Sequence, residues 1–372
     1  MVNASGGSQR GGVYRGLLNI AADVDLEKTA DWAGTMIHAG LLLPHGRSLT
    51  EEHVGDAFVV SNIDADDELH LFEFWLERRF AEDKFSVRIG QIALDQEFVF
   101  TEQGALFNNA AFGWFPIVGT PAPVYPQGAP GLRLRLNPGE KSYVQIAIVD
   151  GDIDPAGDNA HGTKLKLDEG ALIFGEVGYS WEIDGKAGII KFGGWYHTDK
   201  FDHVRIDDAG LSLADPGSSG IPKSLDGNWG LYAVAEQMLW KENPGKKDCA
   251  QGVGLFGRVG SAPSDRNFLG LYAEAGVVWA GLLPGRDQDR CGVGIAYGRV
   301  SSDSRGRVAD DNFLNASGNV EPDREIVIEA EYQFNLRPRI VIQPGVQHII
   351  HPGGSSDIAD ATIIGLRTII SF

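Results

Sequence analysis

Asp360-Ala-Thr-Ile-Ile-Gly-Leu-Arg-Thr-Ile-Ile-Ser-Phe372 closes the chain. Ile364, Leu366, Ile370 and Phe372 are apolar at even positions, with Thr368 the one exception, while Gly365, Arg367 and Ser371 occupy the other face. Side chains alternate across a strand, so this is a strand with one apolar and one polar side. A soluble antiparallel sheet would share that pattern. What separates the two is repetition: about a dozen more segments of this kind precede it without a helical pattern, which is how an outer-membrane β-barrel reads. A terminal Phe372 in the lipid-facing register also fits the C-terminal address that such barrels present to the barrel-assembly machinery.

Composition narrows the choice. The chain has 372 residues with 49 Gly and only 3 Met, which suits strands and turns. No run of about 18 uncharged apolar residues exists, so a spanning helix is excluded. The fullest candidate, Leu269 to Leu283, is interrupted by Glu274. A formal charge of −19 argues against nucleic acid as a partner. It fits a β-rich chain that must stay soluble before insertion.

Reading back from Phe372, strands are expected at 362–372, 339–350, 323–334, 291–301, 269–281, 251–260, 229–241, 187–198, 172–183, 141–150, 129–137, 84–93, 67–79, 33–43 and 12–27. Short turns at 335–338, 182–186, 137–140 and 80–84 would be periplasmic. Long polar loops at 44–66, 94–128, 151–171, 199–228, 302–322 and 351–361 would be extracellular. This sorting of long loops to one end is the barrel rule. Fifteen strands are visible, whereas bacterial barrels are even-numbered. A sixteenth is expected to be missing ahead of residue 12, so that 1–11 is an N-terminal remnant and 12–372 the barrel. Met1 to Arg10 lacks the apolar core of a signal peptide.

The lipid face fixes the lumen face. Val87 and Ile89 point out, so Arg88 points in; Leu132 and Leu134 point out, so Arg133 and Arg135 point in. The same alternation turns Lys191, Arg258 and Arg367 inward, together with Glu73, Trp75, Glu77, Glu176, Glu236, Glu274, Glu325, Glu329 and Glu331. A charge on the lipid face would cost about 2–4 kcal/mol near the midplane, which enforces the partition. Such a lining suits polar uncharged solutes, with Arg and Glu bonding hydroxyls and Trp or Tyr facing C–H groups. The simpler reading is that the charges brace one another.

Other chemistry is weakly supported. Asp150-Gly-Asp-Ile-Asp-Pro starts like a calcium loop but has Pro155 where Gly is required and His161 where Glu is required. His197 and His203, and likewise His348 and His351, lack partners at metal-ligand spacing. There is no phosphate loop or nucleophile elbow. No enzyme, metal or cofactor is expected. Cys249 and Cys291 fall on one rim and could form a disulfide or remain two thiols.

Several stretches together resemble the outer-membrane carbohydrate-selective porins of the OprB type over nearly the whole chain. These are Asp25-Leu-Glu-Lys, Phe74-Trp-Leu-Glu-Arg-Arg-Phe, Val87-Arg-Ile-Gly-Gln with Asp95-Gln-Glu-Phe, Phe112-Gly-Trp-Phe-Pro, and Tyr125-Pro-Gln-Gly-Ala-Pro-Gly-Leu-Arg-Leu. Asp150-Gly-Asp with His161-Gly, Ala235-Glu-Gln-Met-Leu-Trp, Leu255-Phe-Gly-Arg-Val-Gly and Ile342-Gln-Pro-Gly-Val-Gln-His-Ile continue the resemblance. It implies a monomeric sixteen-stranded barrel passing glucose and related neutral sugars passively. It also implies a constriction of Arg and acidic side chains, with Arg88, Arg133 and Glu73 on matching segments, and an inward-folded stretch within 94–128. The family's first strand and signal peptide are expected to have no counterpart in this sequence. Two other readings stay open: a porin for small anions or organic acids, favoured by Arg88, Arg133, Arg135 and Lys191, and a soluble β-rich carbohydrate-binding or carbohydrate-active protein.

Overall fold

The computed structural model describes residues 1–119, 122–151, 159, 161–163, 170–243 and 251–372. Two short strands, β1 (Val2–Gly7) and β2 (Gly11–Gly12), come first. Then follow β3 (Arg15–Asp25), β4 (Thr35–Gly46), β5 (His70–Phe80), β6 (Phe85–Ile92), β7 (Ala129–Gly139), β8 (Ser142–Asp150), β9 (Ala171–Ile183) and β10 (Lys186–Asp207). The series ends with β11 (Pro222–Lys241), β12 (Gly252–Ser261), β13 (Leu269–Ala280), β14 (Arg290–Val300), β15 (Arg324–Arg337), β16 (Ile340–Ile350) and β17 (Ala359–Ile370). From β3 onward each strand pairs antiparallel with the next, in one sheet.

The turns at the periplasmic end are tight. Asp184 and Gly185 both take positive φ between β9 and β10, the Asp-Gly turn whose twist matches a two-residue hairpin. Outward side chains stay exposed, among them Phe74, Ile89, Phe192 and Leu366, while their strand neighbours are buried, as Glu73 and Trp75 are, or half-buried, as Arg88 and Arg367 are. No helix of the described residues is long and apolar enough to cross a membrane.

Three expectations need correcting. Residues before 12 were expected to contain no strand, yet β1 lies there. It pairs with the upper part of β17, Val2 opposite Ile364 and Gly7 opposite Ala359, and with β2 on its other side. Among the described residues no pairing joins Gly365–Ile370 of β17 to β3, so the sheet is not closed along its whole length. The segment 199–228, expected as a loop, instead prolongs β10 and β11 as a hairpin, past a register shift between His197 and Lys200.

The third correction is a helix, Ser302–Asn315, inside the expected loop 302–322. Ser301 caps it by accepting from Ser304 N–H, but none of its residues is buried, so it has no apolar stripe to betray it. Polar contacts hold it to the hairpin: Arg205 forks onto Asp310 at 2.8 and 2.9 Å. That guanidinium keeps the Asp310 carboxyl below its usual range.

Candidate pore and its folded-in loops

The strand residues selected from the sequence are all buried or half-buried: Glu73, Trp75 and Glu77 on β5, Arg88 on β6, Arg133 and Arg135 on β7, Glu176 on β9, Lys191 on β10, Glu236 on β11, Arg258 on β12, Glu329 on β15 and Arg367 on β17. Most of them do not meet open water. Parts of 47–63, 93–119 and 122–128 pack against these strands, whose charged side chains grip their backbone.

The grip can be followed strand by strand. Glu73 accepts from Ala93 N–H, Glu176 from Val99 N–H at 3.1 Å, and Glu236 from Glu102 and Gln103 N–H at 3.1 and 2.8 Å. Glu329 accepts from Asn108 and Asn109 N–H, and Glu325 from Ala57 and Phe58 N–H. Lys191 donates to Phe100 O at 2.8 Å. Gln343 and Gln347 donate to Leu106 O and Val60 O. A buried backbone group without a partner would cost roughly 1–3 kcal/mol, so these side chains make folding the loops inward affordable. Carboxylate acceptors are the stronger kind.

Packing completes the anchoring. Phe107 and Phe112 stack tilted at 4.6 Å and meet Phe256 of β12; Phe115 sits edge-on to Tyr272 at 5.1 Å. The wall opposite these rings is glycine. A Cβ at Gly294 would lie 2.9 Å from the Phe112 ring, one at Gly260 2.5 Å from Phe115, and one at Gly292 2.8 Å from Leu106. Gly298 faces Phe58 in the same way. These inward glycines are sockets for loop side chains.

One cluster remains beside the loop. Glu77 pairs with Arg79, Arg88 and Arg133, while Glu97 of the loop pairs with Arg88 at 2.8 Å and Arg133 at 3.0 Å. Arg88 lies 3.7 Å over the Trp75 ring, and His38 stacks on Trp75 at 4.9 Å, nearly parallel. The Trp75 ring is thus sandwiched and largely buried, and acts as a splint for Arg88 rather than an open platform. Phe100 of the loop is 44 % exposed, although its carbonyl is tied to Lys191, whose ammonium lies 5.9 Å from the ring centre. Neither Phe100 nor Glu97 was singled out from sequence, because strand alternation says nothing about a loop.

Two loop acids carry the cost of this burial. Asp56 is pushed up to about 6, first by desolvation and further by Asp64. Asp95 is pushed up to about 7 by desolvation, with Glu73 adding to the rise. Its Oδ2 accepts from Tyr125 N–H at 3.1 Å, whereas Oδ1 is buried without a partner. An acid whose pKa is higher in the docked loop holds its proton there, so docking is favoured at low pH and weakens as pH rises from about 4 to about 7. Asp95→Asn should lessen that slope, leaving the part due to Asp56, and stabilise the docked loop by on the order of 2 kcal/mol at neutral pH. Melting in detergent at about pH 5 and about pH 8 checks it: the drop in melting temperature at the higher pH should be smaller in the variant than in the wild type.

Cys249 and residues 152–158 of the acidic loop lie outside the described residues, and with them the disulfide and the calcium reading. Cys291 begins β14 as a half-buried thiol. Among the described residues no cluster of three or more metal-binding side chains occurs.

Comparison with known proteins agrees with this architecture. Residues 9–372 match the carbohydrate-selective porin, OprB family. The chain is 24 % identical to Porin B of Pseudomonas aeruginosa over 98 % of this chain and 84 % of that protein. It is 21 % identical to the putative porin QuiX of Acinetobacter baylyi over 96 % and 83 %. The high-pH structure of Pseudomonas putida OprB superposes with a TM-score of 0.92 at 23 % identity, covering all of this chain and 91 % of the other. The sheet, its lipid-facing side and the match over nearly the full length make this chain a member of the OprB family of carbohydrate-selective porins, an outer-membrane channel and not an enzyme.

Proposed function

We propose that the channel passes neutral monosaccharides such as glucose by passive diffusion, and that 93–128 forms its constriction. The observation that carries this is the cross-paired cluster beside the loop: Arg88 and Arg133 are each paired with both Glu77 and Glu97. Paired charges offer many hydrogen-bonding groups without a strong net field, which favours hydroxylated solutes over ions. The exposed Phe100 ring supplies the apolar surface for sugar C–H groups. The anion reading is weakened for Arg88 and Arg133, which carry carboxylate partners, whereas Arg135 and Lys191 bond amide and carbonyl oxygens instead. The soluble reading fails on the exposed apolar belt, which has no second layer to cover it. We further read the barrel as a monomer with its own channel, and the exposed Phe372 as the recognition residue for the barrel-assembly machinery.

Arg88→Ala would uncover one face of the Trp75 ring and leave Glu97 with one partner fewer. The expected result in proteoliposomes is faster swelling with a disaccharide and a smaller preference for glucose over a charged solute of similar size. Wild-type swelling rates for both would remove Arg88 from the constriction. A wild type that admits glucose and a small organic anion equally would overturn the sugar preference itself.

A further inference from the structure

Beside the loop, β11 to β14 line a half-open recess of about 280 Å³. That is close to the lower end, roughly 300 Å³, of cavities that hold small molecules. Its back wall is small or apolar: Met238, Gly252, Gly254, Val278 and Ala280. Glu102 and Gln103 form its ceiling, held there by their N–H bonds to Glu236. Asp287, Gln288 and Arg290 close the rim. The turn bearing them is fixed from behind, because Asp289 accepts from Asn335 N–H at 2.9 Å and from Arg286 at 2.6 Å.

We propose that this recess is a second sugar-binding subsite, taken up by a neutral monosaccharide after it clears the constriction; the proposal rests on the sugar-channel reading above. Among the described residues Arg290 makes only two hydrogen bonds, to Glu102 O at 3.4 Å and Gln103 Oε1 at 3.5 Å. Both are at the outer limit for such bonds. Its guanidinium has five N–H donors, so most remain for a ligand. Glu102 and Asp287 accept from sugar hydroxyls, the Gln103 and Gln288 amides do either, and Met238 with Val278 faces C–H groups. Two carboxylates against one guanidinium at the recess disfavour sugar acids. The glycines leave the wall open: a Cβ at Gly254 would already sit 3.1 Å from the Gln103 amide.

The test is glucose-induced block of single-channel current in planar bilayers, with glucose added on either side. Asp287→Ala removes a rim acceptor, and Ala280→Met fills the recess from the wall. Each should raise the half-blocking glucose concentration, by about tenfold for a lost bond to a charged group. Asp202→Asn, on the projecting hairpin, is the control and should leave block as in the wild type. Wild-type block in both recess variants would overturn the subsite while leaving the channel reading intact. Absence of any block in a wild type that still admits glucose in swelling assays would do the same. Loss of glucose preference in wild-type swelling would remove both readings.

Discussion

Arg258→Ala should free the folded-in loop and turn a narrow channel into a wide one. The Arg258 and Glu274 side chains are fully buried and joined by two bonds of 2.7 and 2.8 Å. Arg258 also donates to three loop carbonyls, Val99 O at 3.0 Å, Ala111 O at 2.8 Å and Gly113 O at 3.1 Å. It therefore ties together the loop's outward and returning passes. Removing one partner of a buried pair costs about 3–5 kcal/mol, since the other charge is left uncompensated. Here Glu274 would keep only Tyr272, whose hydroxyl donates to it at 2.6 Å. The β12 ladder does not depend on this side chain, so the barrel wall should persist while the loop leaves it. Conductance should rise severalfold, and oligosaccharides excluded by the wild type should enter liposomes. Arg258→Lys should not rescue, because an ammonium cannot match a fork and three carbonyls at once. Unchanged conductance and melting in Arg258→Ala would show that the loop is held by its other anchors alone.

The wall was legible in the sequence and the contents of the barrel were not, for physical reasons visible at single residues. Lipid on one side imposes a strict period of two, so Val87 and Ile89 reveal Arg88 without further information. Strand ends read from that period lie within a few residues of β6, β7 and β17. What Glu329 does is a different matter. Its partner Asn108 is 221 residues away, and the reason for the carboxylate is a loop N–H that no local pattern encodes. Trp75 looked like a sugar platform because alternation gives direction but not neighbours; Arg88 and His38 occupy its two faces. The Ser302–Asn315 helix escaped because it buries nothing. Glycines within strands usually signal weakness or close approach, and Gly292-Val-Gly294-Ile-Ala-Tyr-Gly298 turned out to be close approach by side chains from another part of the chain, Leu106 at Gly292 and phenylalanine rings at Gly294 and Gly298.

Those sockets make the second large prediction. Phe112 is 1 % exposed and packs on Phe107 and Phe256, with its ring over Gly294. Phe112→Ala should cost about 3–5 kcal/mol of loop docking through lost contact and the cavity left behind. Gly294→Val should weaken docking by the opposite route. Its new Cβ would stand 2.9 Å from the Phe112 ring and 3.1 Å from Phe107, closer than carbon atoms tolerate, and overpacking of this kind costs about 1–3 kcal/mol. A valine at 294 is otherwise a good strand residue on β14, so the damage should fall on the loop and not on the sheet. Both single variants should therefore show raised and noisier conductance with normal insertion into the membrane. The pair is more informative than either, because the two residues share one volume. In Phe112→Ala/Gly294→Val the added side chain occupies part of the space the ring vacated, so the double variant should dock better than the sum of the single costs allows. A double variant whose conductance and melting shifts simply add would mean that Gly294 does not receive Phe112, and the glycine row would need another explanation.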